Sequence, residues 1–230
     1  RSQSVAQKFR QDFLVEGRYL YLLQGLGNTL VITLFAIIIS FFLGSLIAIV
    51  RTTHDRTGRY IVLNALCKFY LVIIRGTPTM VQLLIIYYVI LAAADVSKVL
   101  VAIVAFGINS SAYLAEVVRS GIMSIDRGQS EAGRSLGLSY SQTMRLIILP
   151  QAFKNVLPAI GNELITLLKE TSISGYIGLV DLTKGSDIIR SITYDAMLPL
   201  GVVALIYLAI VLSLSSAVGT LEKKLRKNER

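Results

Sequence analysis

Apolar residues run in long blocks along this chain instead of recurring at strand or helix spacing. Residues 19–50 carry no charge, and neither do residues 76–94 or 196–221. A soluble domain of this size interleaves its apolar residues with polar ones at a regular period. About 20 apolar residues at 1.5 Å each cross a hydrocarbon core of roughly 30 Å. The pattern therefore predicts an all-α membrane protein, one transmembrane domain over residues 1–230, with about five spans. They fall at 22–50, 61–93, 99–118, 156–176 and 198–221. The second is interrupted at Arg75-Gly76-Thr77-Pro78, and the fourth is the least apolar. The first follows a polar stretch and is too long for a signal-peptide core, so it reads as retained. The chain opens on Arg1 rather than Met, so residues ahead of it are expected.

Loop charge sets the expected orientation, because cytoplasmic loops concentrate Lys and Arg. An odd number of spans puts the termini on opposite sides. With the C-terminus inside, thirteen Lys and Arg fall on the cytoplasmic side, from Arg51 to Arg230, and seven outside, from Arg1 to Arg190. The expectation is N-out, C-in.

Composition then removes several classes of function. Apolar residues make up 54% of the chain, and the mean hydropathy is +0.66. The net charge of +9 does not point to nucleic acid. The basic residues flank apolar blocks instead of forming a stripe interleaved with aromatics. Cys67 is the only cysteine and His54 the only histidine, which leaves no disulfide framework and no soft-metal site. No Gly-x-x-x-x-Gly-Lys-[Ser/Thr] phosphate cradle occurs, so the chain is not expected to hydrolyse nucleotides itself. No internal repeat is visible, which weakens the rival reading of a stand-alone ion-coupled carrier or channel.

The longest cytoplasmic connection, residues 119–151, carries the most information. Asp126 followed by Gln129 reads as a helix N-cap with its capping-box partner, and Ser139 followed by Gln142 repeats it. The first helix is expected to run to Leu136. Gly137 then suits a left-handed elbow, and Pro150 is expected to end the second helix. Two capped helices around a glycine make a rigid knob, not a tether.

Glu131-Ala132-Gly133-Arg134-Ser135-Leu136-Gly137, nine further residues, then Ile147-Ile148-Leu149-Pro150 resembles the signature loop of ABC importer permeases. That pattern reads Glu-Ala-Ala, three residues, Gly, nine residues, Ile-x-Leu-Pro. The one departure is Gly133, where alanine is usual. Arg75-Gly76-Thr77-Pro78 with Gln82, Ala112-Tyr113-Leu114-Ala115-Glu116 and Leu167-Leu168-Lys169-Glu170-Thr171-Ser172 look like the polar amino-acid branch. The likeness extends from Gly25 to the C-terminus. It implies a bacterial cytoplasmic-membrane permease that pairs with a second copy or a close relative. It further implies a cytosolic ATPase dimer, which holds the ATP and Mg, and an extracytoplasmic amino-acid-binding protein. Glu131, Ala132, Gly133, Arg134, Gly137 and Leu138 would form the surface that docks on the ATPase.

The remaining chemistry is polar groups inside apolar segments, which are costly and usually face a bundle interior or watery cavity. The fourth span offers Asn162, Glu163, Thr166, Lys169 and Glu170. Glu163, Thr166 and Glu170 share a face, with the two carboxylates about 10 Å apart along the axis. Lys169 lies off that face. In the second span Thr77 is expected to cap a restarted helix with Pro78 at its first position. An amino acid is a zwitterion, so its site needs both signs. Arg75, or the exposed N–H groups at the start of the restarted helix, is the candidate for the carboxylate, with Thr77 and Gln82 beside it. Glu163, flanked by Asn162 and Thr166, is the candidate for the cationic end, because no basic residue stands three or four positions away. In related permeases an acidic residue of the corresponding Asn-Glu stretch contacts substrate, which favours cationic amino acids. Structural ion pairing is the rival reading for Arg75, Lys169 and Glu170.

Overall fold

The computed structural model describes residues 4–227. Arg1 and Arg230, which enter the charge count, lie outside the described residues, as do the side chains of Arg226 and Lys227. All regular structure among the described residues is helical. Helix α1 (Val5–Phe9) opens with a Ser4–Gln7 capping box and passes through a π turn, Arg10–Leu14, and a 3-10 turn, Val15–Gly17. Then follow α2 (Tyr19–Thr57), α3 (Ile61–Gly76), α4 (Thr79–Ile85, extended by a π turn to Ile90) and α5 (Lys98–Met123). The connection beyond α5 holds α6 (Arg127–Ser135) and α7 (Tyr140–Thr143). A π turn, Met144–Ile148, joins α7 to α8 (Leu149–Glu170). A 3-10 turn, Thr171–Ile177, then leads to α9 (Leu182–Thr193) and α10 (Met197–Lys227).

Helices α2, α5 and α10 are each long and apolar enough to cross a membrane, and the count rises to four if α3 and α4 form one broken span. That pair bends by 107° at the break. Helix α8 is long but does not pass on composition, because its polar residues dilute the apolar ones. Against about five expected spans, with the second interrupted, the described residues thus show three, or up to four, by length and composition.

The α2–α5 pair is the spine. Ala36, Ser40, Gly44 and Ala48 recur every fourth residue on α2 and are all buried. Small side chains at this spacing let two helix backbones approach closely. Ser40 Oγ donates to the Gly107 carbonyl at 3.0 Å, and a Cβ on Gly44 would stand 2.8 Å from the Ser111 carbonyl oxygen. Farther along, Arg51 pairs with Glu116, and Asp55 with Arg119. Partner numbers rise together, so the two helices run in the same direction. Ser110 and Glu163, then Ser124 and Asn155, show α8 running opposite to α5.

The knob forms with two changes. Asp126 does cap α6, accepting from the Gly128 amide, and Gly137 does adopt φ +79°. The Ser139–Gln142 capping box is present. Gln129 does not close the first box; its Oε1 instead lies 3.5 Å from Gln151 Nε2. Pro150 does not end the second helix but sits in the first turn of α8, where its missing N–H costs nothing. The second loop helix therefore runs on into α8 and ties the knob to the membrane bundle.

Candidate functional site

Helix α8 turns a polar face away from the rest of the chain. Asn162, Thr166 and Lys169 are exposed, while Ile165, Leu167 and Leu168 are buried against the bundle. Glu163 is half-buried between these faces. The Ser110 hydroxyl on α5 donates to Glu163 Oε1 at 2.7 Å, and no described cation pairs with the carboxylate. Glu170 lies two turns along α8 and is also half-buried. The arrangement is a polar, hydrogen-bonding face that carries Lys169 beside Glu170 but leaves Glu163 without a cation among the described residues, open to whatever packs against α8.

Gln82 and Thr77 have local partners. Gln82 Nε2 donates to the carbonyls of Ile74 (2.7 Å) and Thr77 (3.0 Å) and to Thr77 Oγ1 (2.7 Å). Its Oε1 accepts from Asn109 Nδ2 at 2.9 Å. Gln82 is thus a clamp that satisfies the backbone groups freed at the break. Thr77 does not cap α4: its hydroxyl donates back to Ile73, and Pro78 occupies the N-cap without a side-chain bond. Thr77 stands one residue too early, because α4 begins at Thr79 and Thr77 instead closes α3. Arg75 is drawn to α5, with Nη1 4.0 Å from Glu116 Oε1 and its guanidinium 5.6 Å from the centre of the Tyr113 ring.

Adjacent residues of α5 join the two halves. Asn109 reaches the α3–α4 break and Ser110 reaches Glu163, so Gln82 and Glu163 flank one helix. Arg75 binds farther along α5, at Glu116. Neither Asn109 nor Ser110 was a candidate from sequence. The signal was present, for Asn109-Ser110-Ser111 is a polar triplet in the middle of an apolar span, and all three are buried.

At the knob, Gly133 is buried against Thr143, while Glu131, Ala132, Arg134 and Gly137 are solvent-facing or partly so. Leu136 is 79% exposed, an apolar side chain offered outward. Leu138 N–H donates to the Gly133 carbonyl at 3.1 Å, closing the elbow. Arg56, near the end of α2, donates to Ser130 Oγ at 3.1 Å. The knob is thus braced by α2 as well as by α8.

A second buried cluster lies between α8 and α9. Asp181, fully buried, accepts from the amides of Gly175 (2.7 Å) and Lys184 (2.8 Å), locking the 3-10 turn to the start of α9. Burial pushes its carboxyl up to about 6, against the pull of the Lys184, Gly175 and Thr183 amides. The connector is seated on α2 by Asn28 Nδ2, which donates to the Val180 carbonyl at 2.8 Å. Thr29 Oγ1 accepts from the Leu182 amide at 3.2 Å. Gly25 permits the approach, since a Cβ there would overlap the Asp181 backbone.

The family of binding-protein-dependent transport system inner membrane components matches residues 40–227. The arginine transport system permease protein ArtQ of Bacillus subtilis (strain 168) is 38% identical over 211 residues, covering 91% of this chain and 94% of ArtQ. A crystal structure of an amino acid ABC transporter with histidines superposes with a TM-score of 0.82 at 39% identity. It covers 92% of this chain and 98% of its own. An inward-facing structure of the MetNI methionine ABC transporter shares the fold, with a TM-score of 0.75 at 20% identity over 97% of this chain and 99% of its own.

Proposed function

The chain belongs to the family of binding-protein-dependent transport system inner membrane components, and on that premise we propose that it passes a cationic or neutral polar amino acid along the α8 face bearing Glu163. It is a permease subunit of an amino-acid ABC importer in the bacterial cell membrane. It is not itself catalytic. A separate ATPase subunit binds and hydrolyses ATP, a second permease completes the membrane part, and an external binding protein delivers substrate.

The carrying observation is the half-buried Glu163 carboxylate, held by Ser110 and free of any described cation. A polar face left uncovered in a membrane helix is expensive against lipid and cheap against a watery path or a partner subunit. Glu163 would meet the ammonium or guanidinium of the substrate, with Asn162 and Thr166 as exposed hydrogen-bonding neighbours. Thr77 and Gln82 would act from the wall at the broken helix, while Arg75, drawn to Glu116 farther along α5, stands apart from this face. The ArtQ relative and the structure with histidines both concern amino acids with basic side chains, which supports the cationic preference.

Five spans with N-out, C-in orientation is our reading of the topology. The shared direction of α2 and α5, with the α3–α4 pair between them in sequence, supports it. So does the length of α8, 22 residues or about 33 Å. A chain crossing once more at α8 brings the α5–α8 knob to the same side as the basic end of α10.

Glu163→Gln removes the charge and keeps size and a hydrogen-bond acceptor. Uptake competition among arginine, glutamine and glutamate in proteoliposomes, alongside the melting temperature, tests the assignment. Arginine should lose its advantage while ATPase assembly and melting temperature hold. An unchanged preference order with lower stability would make Glu163 a structural residue.

A further inference from the structure

A basic cavity of about 530 Å³ opens on the flank of α3, apart from the polar face of α8. Arg51, Lys68, Arg75 and Glu116 supply its charges. Three cations therefore meet one carboxylate. Glu116 takes both guanidiniums, with Arg51 Nη1 at 2.5 Å and Arg75 Nη1 at 4.0 Å. Lys68 forms no ion pair with any described residue. It is exposed, in an apolar helix whose only buried residues are Asn64 and Leu71. A cation in such a helix is stable only with a counter-charge or water at hand. Two positive charges are left for whatever fills the cavity.

Depth and surroundings narrow the occupant. Arg51 is the first charged residue after the uncharged run 19–50, and Glu116 stands seven residues before the end of α5. The cavity thus lies at the edge of the hydrocarbon, where headgroups begin. Val72 lines it and is 71% exposed, and Phe69, one helical turn away, is 66% exposed. Cations at headgroup depth beside an apolar flank match a phosphodiester with attached acyl chains. Guanidiniums fork onto phosphate oxygens, and a lysine adds a point charge from a flexible stem. We infer that this cavity binds the headgroup of an anionic phospholipid, with its acyl chains along α3. Arg75 immediately precedes Gly76 at the helix break, so the bound lipid also steadies the α3–α4 bend.

The purified permease–ATPase assembly, titrated with phosphatidylglycerol or phosphatidylcholine and read by native mass spectrometry, tests this. Wild type is expected to retain phosphatidylglycerol in preference. Lys68→Gln should bind it about fivefold more weakly, the effect of one cation at a membrane surface, with an unchanged melting temperature. Lys68→Arg, which keeps the charge, should bind as wild type. Inorganic phosphate added in phosphatidylcholine alone should not stabilise the assembly; stabilisation would make free phosphate the ligand and overturn the lipid. Equal retention of the two lipids, or wild-type affinity in Lys68→Gln, would also overturn it. So would loss of permease pairing in Lys68→Gln without a change in lipid binding, since the cavity would then receive a partner's carboxylate.

Discussion

Replacing Gly133 with alanine restores the residue usual at this point of the signature loop, and the structure opposes the change. A Cβ on Gly133 would stand 2.7 Å from Thr143 Cγ2, 2.8 Å from Thr143 Oγ1 and 3.2 Å from Ile147 Cδ1. Carbon atoms rest about 3.5–4.0 Å apart, so the first contact is short by about 0.8 Å. Thr143 is 3% exposed and β-branched, so rotating χ1 moves one heavy atom away only by bringing another in. Overpacking of this kind costs about 1–3 kcal/mol. Alanine returns about 1 kcal/mol of helix propensity over glycine. The clash wins, for a net loss of up to about 2 kcal/mol, and relief requires α6 to tilt away from α7. In a chain of this length each kcal/mol lowers the melting temperature by about 2–4 °C. Gly133→Ala should therefore melt a few degrees lower and lose part of its substrate-stimulated ATPase activity in the purified complex. Thr143→Ala should rescue it. That change removes both clashing atoms, and the Thr143 hydroxyl is buried without a partner, so its loss sacrifices no bond. Ile147 Cδ1, the tip of a flexible side chain, can then yield. A Gly133→Ala protein as stable and as coupled as wild type, or no rescue in the double variant, would refute the packing argument.

Two further outcomes are expected. Asp181 has its carboxyl raised from 3.8 to about 6, so the folded state binds that proton more tightly than the unfolded chain. Stability from this group is then fullest below about pH 4 and falls as pH rises to about 6, by roughly 3 kcal/mol in all. Wild-type melting temperature should decline from pH 5 to pH 7 and Asp181→Asn should flatten that decline; matching pH profiles would count against a buried, proton-holding Asp181. For topology, single cysteines at Thr57 and Ser130 in a Cys67→Ser background should resist an impermeant thiol reagent in intact cells while one at Arg190 is labelled, and the reverse pattern would invert the orientation.

Much of the architecture was legible because a bilayer leaves a chain few choices. Residues 19–50 announce α2 by lack of charge alone, since any helix that long and apolar must be membrane-embedded. Ser139 with Gln142 was legible because a capping box is closed within four residues. The failures came where partners are distant in sequence or where one residue has two uses. Pro150 reads equally as a stop or a start, and only the continuous helix from Leu149 decides it. Thr77 looked like a cap for the next helix, yet Gln82 and the carbonyl of Ile73 claim it. The bend of 107° has no sequence signature beyond Gly76 and Pro78, and the Asn109 that bonds Gln82 beside it lies 27 residues away on α5. At the candidate site, Glu163 stood out as an unpaired charge in a span. Its tether Ser110 lies 53 residues away and shows only as part of a polar triplet.

The length of α2 places a demand on the rest of the chain. Its 39 residues extend about 58 Å, and the uncharged run within it about 48 Å, against a hydrocarbon thickness of roughly 30 Å. Tilting by as much as about 40° would still leave that run near 37 Å along the membrane normal. Several apolar residues must therefore emerge into the headgroups or beyond, and hydrophobic mismatch of this size needs a cover. The chain provides a partial one at the N-terminal end of α2. Phe13, Leu182, Ile189 and Val203 close over Leu22, and Lys8 pairs with Asp195 at 3.3 Å to fasten the N-terminal turns to the α9–α10 corner. The N-terminal turns and the α9–α10 corner thus grip one side of an over-long helix around Leu22, while Tyr19, Leu20, Tyr21 and Leu23 on its other sides stay exposed.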